Sequence, residues 1–446
     1  ENSAACELYS GTPDWTPGIN ALYQMPDRLY GIKDKLERHL CQRTDNLFNI
    51  DNRIVLFDLT NFYFEGRKAG SRKARFGRSK EKRNDCRLLV LALCINREGF
   101  IRYSSILAGN TSDPKSLPGM IDKLAVKTSV TSKKTLVVID AGISTEENLQ
   151  GIKEKGYNYL CVSRTRLKDY SLSKDHRTVT VHDTGKQEIT LREVQTRPEE
   201  DYYLEITSPS KAMTEASMNR QWKERFDGEM EKINEAITRK GGTKRYEKVV
   251  ERVGRAIERY PSIARHYQIT YLCNERKPAE MQKVNWTIKD ITAIDKNTGV
   301  YFLRTNVRTF GEQTTWEYYN LIREIECTNR QLKTDLNLRP IYHQKDERSD
   351  AHLFFGLLSY WIVNTIRFQL KQSGENAYWT EIVRRMSTQK LVTTEAVNAL
   401  GEKVELRQCS RPTKQAERIY SILKMKQAPF KKIKICRSQS PPRGSS

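Results

Sequence analysis

Apolar residues recur at helical spacing along Trp316–His343 (WEYYNLIREIECTNRQLKTDLNLRPIYH), where Leu321, Ile325, Leu332 and Leu336 form a stripe. This predicts one amphipathic helix ending in a turn. A second face carries Tyr319, Glu326 and Lys333, each seven positions from the next. Seven residues is close to two turns, so the three line up with roughly 10 Å of rise between neighbours. Arg323 and Arg330 fall within one turn of Glu326 on nearly the same side. Asn337 can serve the cap, and Pro340 bars continuation. A solvated face with ion pairs would give the same pattern, so the remaining sequence has to decide.

Upstream, Asp27–Leu47 has helical spacing, and Arg53–Phe57 (RIVLF) is a buried-strand candidate that delivers Asp58. An acid at the end of an apolar strand costs several kcal/mol unless it is paired or binds a cation. Leu88–Asn96 and Phe100–Ala108 read as two strands around the turn Arg97-Glu98-Gly99. Asp113 caps a helix with Pro114 at its first position. Lys134–Ile139 is another strand, ending on Asp140. A capping box at Ser144–Glu147 then starts a helix, and Tyr157–Ser163 gives one more strand. Strand, strand, strand, helix, strand, helix, strand is the order of a ribonuclease H-like layered α/β domain. In that fold the first and fourth strands are neighbours, so Asp58 and Asp140 would meet.

From 166 to 310 the texture changes. Short β-like segments (Thr178–His182, Glu188–Val194, Tyr202–Ile206) precede a charged helical stretch, Lys211–Tyr260. Strands follow at Tyr267–Cys273 and Gly299–Thr305. This reads as an inserted subdomain, with Trp222 and Trp286 as packing residues. Ser349–Lys371 is an apolar helix that can cover the sheet, with His352 as a packed histidine. A helix near Trp379, a β-like stretch Val404–Arg407 and a helix Lys414–Lys424 lead to a basic Ser/Pro-rich tail, Phe430–Ser446, predicted to be disordered. The predicted layout is therefore α/β. A helical segment spans 1–50, the ribonuclease H-like core 51–165 and 311–375, the insertion 166–310, and the C-terminal region 376–446.

Charge sharpens this picture. Lys plus Arg is 77 against 55 for Asp plus Glu, a net +22 over 446 residues. A balance that basic implies a polyanionic partner, most often nucleic acid. Nine cations fall between Arg67 and Arg83, with three glycines from Gly66 to Gly77, a loop suited to a phosphate backbone. The nine cysteines lie singly and the six histidines are scattered. That argues against a disulfide framework or a zinc site and implies a reducing compartment. The longest apolar run, Leu353–Ile366, is too short to span a bilayer, and no secretory signal is visible. The chain starts at Glu1 rather than Met, which reads as a fragment lacking an N-terminal segment.

Three acids stand out: Asp58, Asp140 and Glu326. Only a fold can bring them together. Phosphodiester chemistry uses such carboxylates to hold two divalent cations roughly 3.5–4 Å apart. Mg²⁺ prefers oxygen ligands and keeps waters, so no His or Cys is needed.

These residues resemble the DDE transposases of bacterial insertion sequences, in the group marked by a Tyr-Arg-Glu-Lys helix and the branch with a long insertion before the catalytic Glu. The matching stretches are VLFDLTNFYFEG (55–66), GRSKEKRND (77–85), REGFIRYSSILAGNTSD (97–113), VVIDAGISTEENL (137–149), GYNYLCVSR (156–164) and YYNLIREIECTNRQLKTDLNLRPIYH (318–343). They lie in family order and cover most of the chain from 20 to 425. The resemblance implies that Asp58, Asp140 and Glu326 are catalytic and carry Mg²⁺ (or Mn²⁺). It places Tyr319, Glu326 and Lys333 at the Tyr, Glu and Lys positions. The usual Arg position is Ile322, so Arg323 would have to reach from one residue along. Tyr319, Arg323, Arg330, Lys333, Arg78 and Lys80 are the expected DNA-binding residues. The resemblance further implies a mainly β insertion contacting transposon-end DNA. The implied partners are double-stranded DNA, both terminal inverted repeats and target, and a second copy in a homodimer. A cytoplasmic, nucleoid-associated bacterial enzyme that cuts its ends and joins them to target DNA is the expectation. The rivals are a repurposed DNA-binding protein without cleavage activity and a nuclease that stops after hydrolysis.

Overall fold

β1 (Ile54–Tyr63) is the spine of the first of two units. Its sequence IVLFDLTNFY is buried along its length except for Asp58 and Tyr63, which are half-buried. A strand covered on both faces needs such a continuous apolar run. The computed structural model describes residues 18–50, 52–79, 81, 83–127, 134–167, 170–173, 178–183, 185–290, 292–295, 297–428 and 432–437. The first unit comprises Glu1–Tyr159 and Asn320–Ser446, the second Leu160–Tyr319.

Ahead of β1, the sequence predicts one helix over Asp27–Leu47, but there are two, α1 (Ile19–Gly31) and α2 (Lys33–Phe48), broken at Ile32. β2 (Leu88–Asn96) pairs antiparallel with β1 and is buried throughout. β3 (Ile101–Ala108) pairs antiparallel with β2. α3 (Asp113–Lys127) follows, and β4 (Leu136–Ile139) pairs parallel with β1 on its other side. The order is β3-β2-β1-β4, so the first and fourth strands are neighbours, as expected. β1 is longer than predicted. The strand read as Arg53–Phe57 runs on to Tyr63, with Thr60 and Asn61 buried and β2 paired along it. Asp58 therefore lies inside β1, not at its end. α4 (Glu146–Glu154) is capped by Thr145, whose hydroxyl accepts from the Asn148 N–H at 3.2 Å. Ser144, the predicted cap, instead donates to the Ala141 carbonyl at 3.1 Å and holds the turn after Asp140. The chain leaves the first unit within β5 (Asn158–Val162).

The second unit contains β6 (Val179–His182), β7 (Glu188–Glu193), β8 (Tyr202–Thr207), α5 (Pro209–Thr238), α6 (Tyr246–Arg259), α7 (Pro261–Ala264), β9 (Tyr267–Asn274), β10 (Lys277–Ile288), α8 (Thr292–Asp295), β11 (Val300–Thr305) and most of α9 (Gly311–Asn320). Its strands run β5-β11-β8-β7-β6, with β9 and β10 as a separate hairpin. The unit is α+β, and the mainly β expectation is corrected. Phe226, Met230, Ile233 and Ile237 recur at three- and four-residue steps along α5, and with Val253, Met281 and Val284 they build a core of their own. Asp227 at its edge accepts from Tyr267 (2.7 Å) and the Trp286 indole (2.9 Å), and Trp286 packs against this core, as expected. Trp222 packs on the same core.

Back in the first unit, α10 (Ile322–Arg330) runs into a π-helical turn (Gln331–Asp335), and α11 (Asp346–Gln372) follows. The single helix predicted over Trp316–His343 is thus interrupted at Leu321 and widened after Arg330. α11 covers the turn between β2 and β3: the Tyr360 hydroxyl donates to the Gly99 carbonyl at 2.9 Å, and Asn364 donates to the Glu98 carbonyl at 3.1 Å. Gly99 has φ +82°, and a Cβ there would meet Asn364 at 3.0 Å. Gly99→Ala is expected to cost about 1–3 kcal/mol, read as a lower denaturant midpoint at unchanged slope.

α12 (Trp379–Met386) packs on α11 and α13 (Lys414–Ile422) through Leu370, Ile382 and Ile419. β12 (Leu391–Val397), β13 (Lys403–Cys409) and β14 (Ile433–Arg437) form a second sheet. β14 corrects the expectation of a disordered tail over Phe430–Ser446. IKICR alternates apolar and basic residues, a strand period hidden in a basic composition, and it pairs with β13. Residues 438–446 lie outside the described residues. Among those described, no helix is long and apolar enough to cross a membrane.

Candidate active site

β1 and β4 place the first two acids. Their parallel ladder ends with Phe57 opposite Ile139, so Asp58 and Asp140 occupy the next register position on strands about 4.8 Å apart. Asp58 is half-buried and Asp140 is exposed, its Oδ1 accepting from the Ala141 N–H at 2.7 Å. Glu326 lies on the exposed face of α10, with Ile322, Ile325 and Thr328 on the buried face. Ile322 is apolar because it faces the core, while Arg323 beside it is exposed. Thr328 shares a hydrogen bond of 2.8 Å with Tyr360, which clamps α10 to α11. One turn after Glu326, Asn329 donates through Nδ2 to Asp58 Oδ2 at 2.8 Å, so the helix that carries Glu326 is docked on the strand that carries Asp58.

Among the described residues, no group of three or more His, Cys, Asp or Glu side chains stands close enough together to hold a metal ion. The chemistry of the candidate donors suits Mg²⁺, although Asp58, Asp140 and Glu326 are not gathered into one such group. The candidate ligands are all oxygens, and Mg²⁺ is commonly held by one or two carboxylates plus substrate phosphates, not by an all-protein cage. Asn329 Oδ1, beside Asp58, is a buried acceptor without a partner.

The expected phosphate-binding residues are dispersed differently from the simple helical stripe. Tyr319 is half-buried on α9. Arg330 is exposed and lies over the Tyr378 ring at 4.8 Å. Lys333 falls in the π turn, where Leu336 N–H donates to the Gln331 carbonyl at 2.9 Å. It pairs with Glu81 at 2.8 Å, and Arg339 binds the same Glu81 oxygen. Burial alone would raise the Glu81 carboxyl, but these two cations hold it below its ordinary value. Arg83 and Arg339 lie over the Tyr63 ring at 5.0 and 5.8 Å. Arg78 is exposed, and its carbonyl accepts from Asn61 at 2.7 Å. Lys80 lies outside the described residues.

Not every cation of the 67–83 loop faces solvent. Lys68 is buried and donates to the His343 carbonyl (2.6 Å) and the Ser349 hydroxyl (3.2 Å), and Lys73 pairs with Asp350. Asp346, at the start of α11, accepts from the Ser71 hydroxyl and from the backbone of Arg72 (2.8 Å) and Lys73 (3.3 Å). Two of the nine cations of this loop are thus engaged within the fold. Sequence reading passed over Asn329, Glu81 and Arg339. The available signal was an Asn inside a helix, a poor position for it unless its amide is used.

A family model described as a transposase DDE domain matches residues 50–362. No curated relative matches the chain. Among solved structures, the piggyBac transposase in a synaptic complex with hairpin DNA is similar at TM-score 0.31 and 7% identity, over 80% of this chain and 64% of that one.

Proposed function

This chain belongs to the transposase DDE-domain family, and from that premise we propose that it cuts DNA at the ends of a bacterial insertion sequence and joins the freed 3′-hydroxyls to target DNA. The observation that carries the reading is the register of β1 and β4, which sets Asp58 beside Asp140 within the family match. Glu326 lies on the helix docked to β1 through Asn329, and we assign it as the third acid.

In this reading Asp58, Asp140 and Glu326 hold Mg²⁺ or Mn²⁺, and the bound ion supplies Lewis-acid stabilisation of the phosphorane-like charge. Water attacks phosphorus at the transposon end, its oxygen bonds to phosphorus, and the 3′ oxygen leaves as a hydroxyl. That hydroxyl then attacks a target phosphate in line and displaces the neighbouring deoxyribose oxygen. Arg323, Arg330, Lys333 and Tyr319 hold backbone phosphates near the scissile bond, and Arg78 and Lys80 extend the contact. The Tyr-Arg-Glu-Lys group, the long-insertion branch, a homodimer bridging two ends and a nucleoid location belong to the same proposal.

The deciding experiment incubates the protein with an end-containing duplex, Mg²⁺ and a supercoiled target. Joined products are expected. Nicking without joining would make the protein a nuclease, and binding without nicking would make it a DNA-binding protein only.

Glu81 gives a separate prediction. Its carboxylate occupies Lys333 and Arg339, the place a phosphate would take. Glu81→Gln is expected to tighten DNA binding and to steepen the dependence of log affinity on log salt by roughly 0.9 per additional phosphate, measured by anisotropy titration.

A further inference from the structure

Asn329 has one satisfied end and one that is not. The residue is buried, 8% exposed. Nδ2 donates to Asp58 Oδ2 at 2.8 Å, while Oδ1 is buried with no partner. The orientation is forced: a carboxylate only accepts, so the amide must face it with its NH₂ and turn its carbonyl away. Buried carbonyls are seldom left unpaired in folded proteins, and a leucine could fill the same helical position without that cost. What sets Asn329 apart is that its other end holds Asp58. The missing partner has to be a donor.

We infer that Asn329 is a positioning residue of the cation site: Nδ2 fixes one oxygen of Asp58, and Oδ1 accepts from the hydration shell of a divalent cation that Asp58 holds. This rests on the reading of Asp58 as a cation ligand. Mg²⁺ and Mn²⁺ dehydrate reluctantly, and every retained water is a donor. Groups that orient a ligand in this way change metal affinity without touching the ion.

The test is Mn²⁺ binding by the full chain, read by electron paramagnetic resonance, with thermal unfolding measured in EDTA and in Mn²⁺. Asn329→Leu is expected to weaken Mn²⁺ binding about tenfold or more. Asn329→Asp sets two carboxylates against each other, so its melting temperature should fall in EDTA and recover with Mn²⁺ by more than that of the unsubstituted chain. Asp58→Asn should lose binding altogether. If Asp58→Asn loses Mn²⁺ while both Asn329 variants bind and melt like the unsubstituted chain, the inference is overturned and the reading of Asp58 stands. If Asp58→Asn binds Mn²⁺ unchanged, or the unsubstituted chain binds none, both fall. Should Asn329→Leu not fold, Asn329→Asp decides: no extra recovery in Mn²⁺ overturns the inference.

Discussion

Asp140→Asn is expected to lower end cleavage and strand transfer by about three orders of magnitude or more, while DNA binding changes little. The reason is the division of labour in the site. Asp140 stands exposed at the end of β4, next in register to Asp58, where it supports no core packing. The substitution keeps shape and removes charge, so the fold should be untouched. Losing a cation ligand forfeits several kcal/mol of transition-state stabilisation, and each 1.4 kcal/mol is about tenfold in rate. Glu326→Gln should behave alike, since Glu326 is also exposed. Backbone affinity comes from cations elsewhere and should persist with its salt dependence. Single-turnover cleavage of an end duplex, with anisotropy for binding, separates the two. Wild-type cleavage in Asp140→Asn would exclude this residue from the chemistry.

The largest stability effect is expected at Asp346. The buried Lys68 ammonium lies 3.9 Å from it, and Asp346 accepts from Ser71 and from two backbone N–H groups of the basic loop. Burial draws the Lys68 pKa below its ordinary value, although the nearby acids oppose this. Asp346→Ala would leave that ammonium buried without its counter-ion, at a cost of about 3–5 kcal/mol. Lys68→Met added to Asp346→Ala should recover the part of the loss that comes from the buried ammonium, leaving the part carried by the Ser71, Arg72 and Lys73 hydrogen bonds. Chemical denaturation of the four forms checks this, and a purely additive double mutant would refute the pairing. The sign with pH follows from Asp346. Burial would raise its pKa, but the Ser71, Arg72 and Lys73 hydrogen bonds and Lys68 hold it below the ordinary 3.8. Its contribution is therefore present above 3.8 and is lost as pH falls below that value. In Asp346→Ala this part of the acid loss should vanish.

The elements of the sheet were legible because β2 and β4 are apolar runs and β3 follows β2 across the turn Arg97-Glu98-Gly99, and the adjacency of the first and fourth strands followed from their order. β1 was cut short because its apolar run is broken by Asp58, and only the pairing of β2 beyond that residue extends it. The helix after Trp316 was read as one rod because its stripe continues through Leu336. The π turn depends on backbone hydrogen bonding that side-chain periodicity does not report. Lys68 and Lys73 looked like free cations because nothing local announces partners such as Asp346 and Asp350, far along the chain. Asn329 and Glu81 were invisible for the same reason: what each does is set by a residue on another element. The helices of the insertion were readable as charged stretches, but their weight within the unit was not.

The most direct measurement is anomalous diffraction from Mn²⁺ in crystals of the protein bound to an end-containing duplex. Manganese is expected beside the scissile phosphate, within ligand distance of Asp58, Asp140 and Glu326. Manganese at the scissile phosphate on other side chains, with these three carboxylates apart from it, would contradict the account.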